Sequence, residues 1–227
     1  VSEGLSANTV ITFDGPAASG KSSAAQRVAA AVGVPFVSSG LLYRAATYLA
    51  AADGCELDDA TAVMRVLQGH DVALTPAVAG NRVHVDGRDV TAALHTDAVD
   101  AGVSHVAAHA DVRRWVTQQL QRVEPPFTID GRDMGSVVFP QAAYKFYLTA
   151  SPAERARRRV GERAADLEAV AAAIARRDRL DSKQLAPAAD AVHIDTDGLT
   201  LDQVVALVLE RLGFAPVAAL VSPGDGA

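Results

Sequence analysis

The stretch "ITFDGPAASGKSSAAQRVAAAVG", residues 11–33, leaves a chain few ways to fold. A β-branched run, "TVITFD", stops at Gly15. Small residues follow, and then Gly20, Lys21 and Ser22 open a segment whose apolar residues recur at helical spacing until Gly33 ends it. The order is strand, glycine-rich loop, helix. The spacing fits GxxxxGK[ST], in which backbone N–H groups curl around phosphates while the lysine and the hydroxyl face the terminal phosphate and its Mg²⁺. Gly15, Pro16, Ala17, Ala18, Ser19, Gly20, Lys21, Ser22 and Ser23 are therefore the expected nucleotide-binding residues. Lys21 is expected to stabilise charge on a transferred group and Ser22 to hold Mg²⁺, with the helix N-terminus adding partial positive charge. A glycine turn that merely contains a lysine is the alternative; the flanking strand and helix speak against it.

Four more short runs read as strands, "VPFVSS", "FTIDG", "YKFYLTA" and "AVHIDTDG", with helical stretches between them. Strands alternating with helices predict an α/β fold with a five-stranded parallel sheet covered by helices on both faces. Two segments break the alternation. From about Leu41 to Leu94 come two helical stretches and then "DVALTPAVAGNRVHVDGRDV", whose turn-bounded runs predict a small antiparallel sheet. From Pro152 to about Asp181 runs an arginine-rich helical stretch. Both insertions follow the carboxyl end of a strand, where α/β sheets bind ligands, and both read as flaps over the loop. The expected division is a core of residues 9–40, 101–150 and 182–213, an acceptor-binding insertion at 41–100, a lid at 151–181, and a disordered tail at 214–227.

Composition narrows the partners. A net charge of −6 argues against a general nucleic-acid binder, although 8 of the 18 arginines crowd between Arg155 and Arg179. Only three lysines occur, Lys21, Lys145 and Lys183, which sharpens the meaning of Lys21. No stretch approaches the roughly 18 apolar residues of a membrane span. The single cysteine, Cys55, cannot form an internal disulfide. A soluble, monomeric protein of the reducing cytoplasm, without a secretory signal, is the expectation.

A phosphate loop alone leaves motors, switches and kinases open. No guanine-reading Asn-Lys-x-Asp occurs, nor a His-Arg-Asp loop of protein kinases. The nearest acid for an ATPase motor, Asp130 in "FTIDGRDMG", is followed closely by Arg132 and Asp133. A charge trio in so short a turn points to a second anion being positioned.

The segments "DGPAASGKSS", "SSGLLYRAA", "VDAGVSHVAAHADVRR", "DGRDMGSVVFP" and "RRDRLDSKQLAPAADAV" resemble, in order and spacing, the bacterial cytidylate kinase family, from about Val10 to Leu212. The resemblance implies transfer of the γ-phosphate of ATP to CMP or dCMP with Mg²⁺, small molecules being the only partners. It implies that Arg44 and Arg132 bind the acceptor phosphate, and that Ser39, Arg113 and Asp133 read cytosine. Ser104, Arg177 and Asp181 would face the pentose, and Lys21, Arg132, Arg155 and Arg158 would be catalytic.

The chemistry agrees: a monophosphate already offers an anionic oxygen, so alignment and charge neutralisation suffice and no base is needed. Asp133 and Ser39 can accept from the cytosine amino group and Arg113 can donate to its acceptors, whereas uracil would turn a carbonyl toward Asp133. Taken singly, Arg44 could be a solvated helix residue, Asp133 a turn cap and Ser104 a back-bonded serine; of Arg155, Arg158 and Arg159, one or two are expected to act and the others to be solvated. Three positions depart from the family pattern: Ser38, where Asp is common, and His95 and Gln184, where Arg is common. A kinase of UMP or of a hydroxyl metabolite is the rival enzyme. A nucleotide-dependent switch is the rival from another class.

Overall fold

The computed structural model describes residues 5–77, 80–163, 167–181 and 184–214. β1 (Val10–Asp14) is buried almost throughout, because helices cover both faces of the sheet it centres. It runs parallel to β6 (Phe127–Asp130) on one side and to β7 (Tyr144–Thr149) on the other. β2 (Phe36–Ser38) and β8 (Val192–Asp195) complete the order β2-β6-β1-β7-β8. The expected five-stranded parallel sheet is thus present.

The loop after β1 leads into α1 (Lys21–Val32), which Gly33 ends with a left-handed φ of 75°. With α8 (Leu201–Arg211) it covers one face. There Phe13 and Phe146 stack at 5.4 Å, and the burial of each ring contributes roughly 2–3 kcal/mol. A Thr200–Gln203 capping box starts α8.

The other face is packed by α2 (Gly40–Asp53) and α3 (Ala60–Gln68) of the first insertion together with α4 (Asp97–Ala108) and α5 (Ala110–Leu120). Between them stands an antiparallel sheet of β3 (Val72–Thr75), β4 (Arg82–Val85) and β5 (Arg88–Asp89), then a 3-10 turn, Thr91–His95. The sequence predicted two short runs here; the third strand is a two-residue return that pairs with β4. A π-turn, Met134–Val138, follows β6. The arginine-rich stretch forms α6 (Pro152–Arg163) and α7 (Leu167–Asp181), packed on each other. The expected tail at 214–227 lies outside the described residues from 215 onward; Phe214 packs against the α8 side of the core.

Register brings the chemistry together. Ser38 pairs with Asp130 and Phe13 with the same Asp130, so the carboxyl ends of β2, β6 and β1 lie side by side. The loop, the "DGRDMG" turn and the start of α2 all leave from that edge.

Candidate active site

The loop is shaped by its backbone. Gly15 has φ +144°, and a Cβ there would sit 2.1 Å from the Leu148 carbonyl oxygen, so the chain passes β7 only as glycine. Ala18 holds a left-handed φ of 60°, and Gly20 caps α1 at φ 86° without a side-chain bond. No acid occupies the first turn of α1, so its free amides face the loop unopposed by a local carboxylate. Lys21 is buried, and its Nζ donates to the Pro16 carbonyl at 3.1 Å, folding the ammonium across the loop. The Ser22 hydroxyl donates to the carboxylate of Asp130.

Facing the loop is a cleft of about 310 Å³ whose walls include Lys21, Ser22, Ser23, Ser39, Arg44, Ser104, Arg113, Arg132, Asp133 and Asp181. Each arginine on its acceptor side stands against a carboxylate. Arg44, on α2, binds Asp100 of α4 at 2.5 Å and the Leu94 carbonyl at 2.9 Å. Arg113, on α5, pairs with Asp133 and lies 5.6 Å from the Tyr43 ring centre. Arg132 donates through Nε to Asp181 at 2.8 Å and through Nη1 to the Gly15 carbonyl at 3.2 Å. Burial pushes the Tyr43 phenol up, so it stays a neutral donor and ring surface. Ser39 donates to the Asp130 carbonyl at 2.6 Å, which leaves its lone pairs to accept.

Asp130 and Asp133 line this cleft, and a buried oxygen of each, Oδ1, has no hydrogen-bond partner. Buried acceptors are rarely left so.

The arginines of α6 divide. Arg155 is buried against the Ala17 carbonyl at 3.2 Å and Asp178 of α7 at 2.7 Å. Arg158 donates to the Thr196 carbonyl at 2.7 Å and the Thr196 hydroxyl at 2.9 Å, and to Glu154 at 2.8 Å. Bonds from Arg157 and Arg158 bring the Glu154 carboxyl down to about 2. Arg155 and Arg158, expected as catalytic, bond the Ala17 and Ser19 carbonyls of the loop, and Arg158 lines a second cavity with Ala18, Gly20 and Ser23. Arg159 lines the cleft. Arg177 falls on α7, with its side chain outside the described part. Ser38 lines the cleft, while Gln184 follows α7 and His95 ends the 3-10 turn.

Tyr43, Asp100 and Asp130 enter the site without having been singled out as site residues. Asp130 carried a signal, an acid ending an apolar strand before the loop's partner turn; Asp100 carried none.

A phosphate loop on a parallel sheet, facing a second cleft rich in guanidinium groups, defines a phosphotransferase of the P-loop kinase class. A sequence profile described as cytidylate kinase matches residues 11–213. The chain is 54% identical over 203 residues to a cytidylate kinase of Deinococcus deserti, covering 89% of this chain and 98% of that protein. It is equally similar, over the same shares, to one of Thermus thermophilus. A cytidylate kinase of Deinococcus radiodurans is 52% identical over 204 residues, 90% of this chain and 99% of that protein. The chain belongs to the cytidylate kinase family.

Proposed function

We propose that the cleft holds CMP or dCMP opposite ATP on the loop, and that an oxygen of the acceptor phosphate attacks the γ-phosphorus in line, releasing ADP and forming CDP or dCDP. The carrying observation is the orphaned Asp133 Oδ1 beside Arg113. A carboxylate next to a guanidinium matches cytosine, which offers an amino donor beside two acceptors. Arg44 and Arg132 receive the acceptor phosphate, and their planar forks match its oxygens. Ser104 and Asp181, which line the same cleft, take the pentose.

On the donor side the loop amides and α1 bind the phosphates, and Lys21 and Arg132 neutralise charge that builds on the moving group. The pairing of the Ser22 hydroxyl with Asp130, whose other oxygen has no partner, fits a hard cation that takes oxygen ligands. Ser22, with Asp130 behind it, would hold Mg²⁺, which would supply charge neutralisation for the phosphates. Residues 151–181 act as a lid, with Arg155 and Arg158 anchoring its root and Arg159 facing the transfer. Residues 41–100 contribute Arg44 and its partner Asp100 to the acceptor side. One chain provides every group named, which supports a monomer. Among the described residues no helix is long and apolar enough to cross a membrane, and Cys55 is a free thiol, which accords with a reducing cytoplasm.

The test is ADP release with CMP, dCMP, UMP, AMP or no acceptor. Saturable turnover with CMP and dCMP, and UMP at least about tenfold poorer in kcat/KM, is expected. Equal release without an acceptor would mean that the cleft receives water rather than a nucleotide.

A further inference from the structure

Three consecutive residues at the end of β1 hold the turn that carries Arg132 and Asp133. The Phe13 carbonyl accepts the Gly131 N–H at 3.0 Å, and the Gly15 carbonyl accepts Arg132 Nη1 at 3.2 Å. Between them lies Asp14, only 5% exposed. Its Oδ1 accepts the Met134 N–H and its Oδ2 the Gly135 N–H, each at 2.8 Å. These amides open the π-turn Met134–Val138, and the carboxylate meets both at once.

The seat is close-fitting as well as bonded. A Cβ on Gly135 would stand 2.8 Å from Thr12 Oγ1 and 3.1 Å from the Lys145 side chain, so the turn lies flush on β1 and β7. Arg132 and Asp133 are the two residues between the anchored Gly131 and the anchored Met134. Their side chains project from a backbone fixed on either side.

A carboxylate is an expensive way to cap two amides in a dry place. Burial pushes the Asp14 carboxyl up to about 6 even though both backbone bonds favour the ionised form. A neutral acceptor such as serine would meet one amide without that desolvation. Asp14 meets both, and the next residue in the chain is the first of the phosphate loop.

We propose that Asp14 is a positioning residue that sets the donor loop and the acceptor-reading turn in register. It does so by fixing the Met134 and Gly135 amides, so that Arg132 and Asp133 stand at a set distance from Lys21. The inference rests on the reading of the cleft as the CMP site. It assigns Asp14 no contact with either substrate.

Asp14→Asn keeps the shape, lets one oxygen accept one amide, and sets an NH₂ group against the other. The measurements are kcat, KM for CMP and UMP, the dissociation constant of a non-hydrolysable ATP analogue, and the melting temperature. We expect KM for CMP to rise about tenfold or more and the CMP-over-UMP preference to fall, with analogue affinity within about twofold of wild type. Unchanged CMP kinetics, or CMP and analogue constants rising together in proportion, would overturn the inference and leave Asp14 a packing residue.

If Asp14→Asn does not fold, Gly135→Ala decides. It leaves the carboxylate in place but lifts the turn off Thr12, and the same selective loss for CMP is expected. Equal losses on both sides would again overturn the inference. A wild-type chain that transfers no phosphate to CMP overturns the underlying reading, a result distinguishable from wild-type transfer with an unaltered variant.

Discussion

The two halves of the cleft are built in opposite ways. The donor half is one contiguous run, Gly15 to Ser23, and what it offers is backbone amides set by left-handed turns at Ala18 and Gly20. The acceptor half is gathered from α2, α4, α5, α7 and the turn after β6, and its cations are already matched: Arg44 with Asp100, Arg113 with Asp133, Arg132 with Asp181. A backbone site offers every triphosphate the same donors. A site of paired side chains offers oriented groups whose charge is held back until a ligand of the right pattern joins or displaces a partner, which trades affinity for selectivity. Donor binding should therefore tolerate side-chain changes on the acceptor side, and acceptor choice should not.

Lys21 is the main exception to the backbone rule on the donor side, and its loss is the largest effect expected. Lys21→Ala should lower kcat by about 10³-fold, the scale of removing one fixed cation from a developing anion. Melting temperature and CMP binding should stay near wild type, since the ammonium folds back across the loop itself onto the Pro16 carbonyl. Wild-type turnover in a folded variant would reduce the donor half to a pure backbone holder and remove Lys21 from the chemistry.

The second effect lies at the joint between the halves and reads out as stability. The Asp14 carboxyl is raised from 3.8 to about 6, chiefly by burial. A raised acid binds its proton more tightly in the folded chain, so its relative contribution is best below pH 4 and falls by about 3 kcal/mol as pH rises past 6. Asp14→Asn has no such titration. The stability difference, variant minus wild type, should therefore grow in the variant's favour between pH 4 and pH 7, measured by denaturant unfolding at each pH. A flat difference would mean that the folded carboxyl titrates at its ordinary value.

The same contrast decides what could be read from the sequence. The donor half was legible because its parts are adjacent: a β-branched run reads as a buried strand, and glycine, lysine and serine follow at fixed spacing. The acceptor residues had to be carried over by family motif, since nothing local ties Arg44 to Asp100 or Arg132 to Asp181. Asp14 was invisible for the same reason: it reads as the last residue of a strand, and its partners lie 120 and 121 positions away. Helical spacing placed Arg155, Arg158 and Arg159 on one turn but could not say which faces the cleft. That is decided by the Ala17 carbonyl and Asp178 claiming Arg155, and by Thr196 claiming Arg158. The two-residue β5 and the π-turn are too short to leave a period.

The smallest effect in energy is the sharpest in kind. Asp133 bonds Arg113 through one oxygen and keeps the other unpartnered. Asp133→Ala should reduce the CMP-over-UMP ratio of kcat/KM by about 10–100-fold, the range of one buried polar match, while KM for ATP moves less than about threefold. Asp133→Asn goes further, because an amide can turn its NH₂ toward the uracil carbonyl. The ratio should fall below that of the alanine variant as UMP improves in absolute terms. If both variants keep the wild-type ratio, base choice is made elsewhere in the cleft and the paired side chains serve the phosphate alone. If they weaken ATP as much as CMP, the two halves are one electrostatic unit and the contrast between them fails.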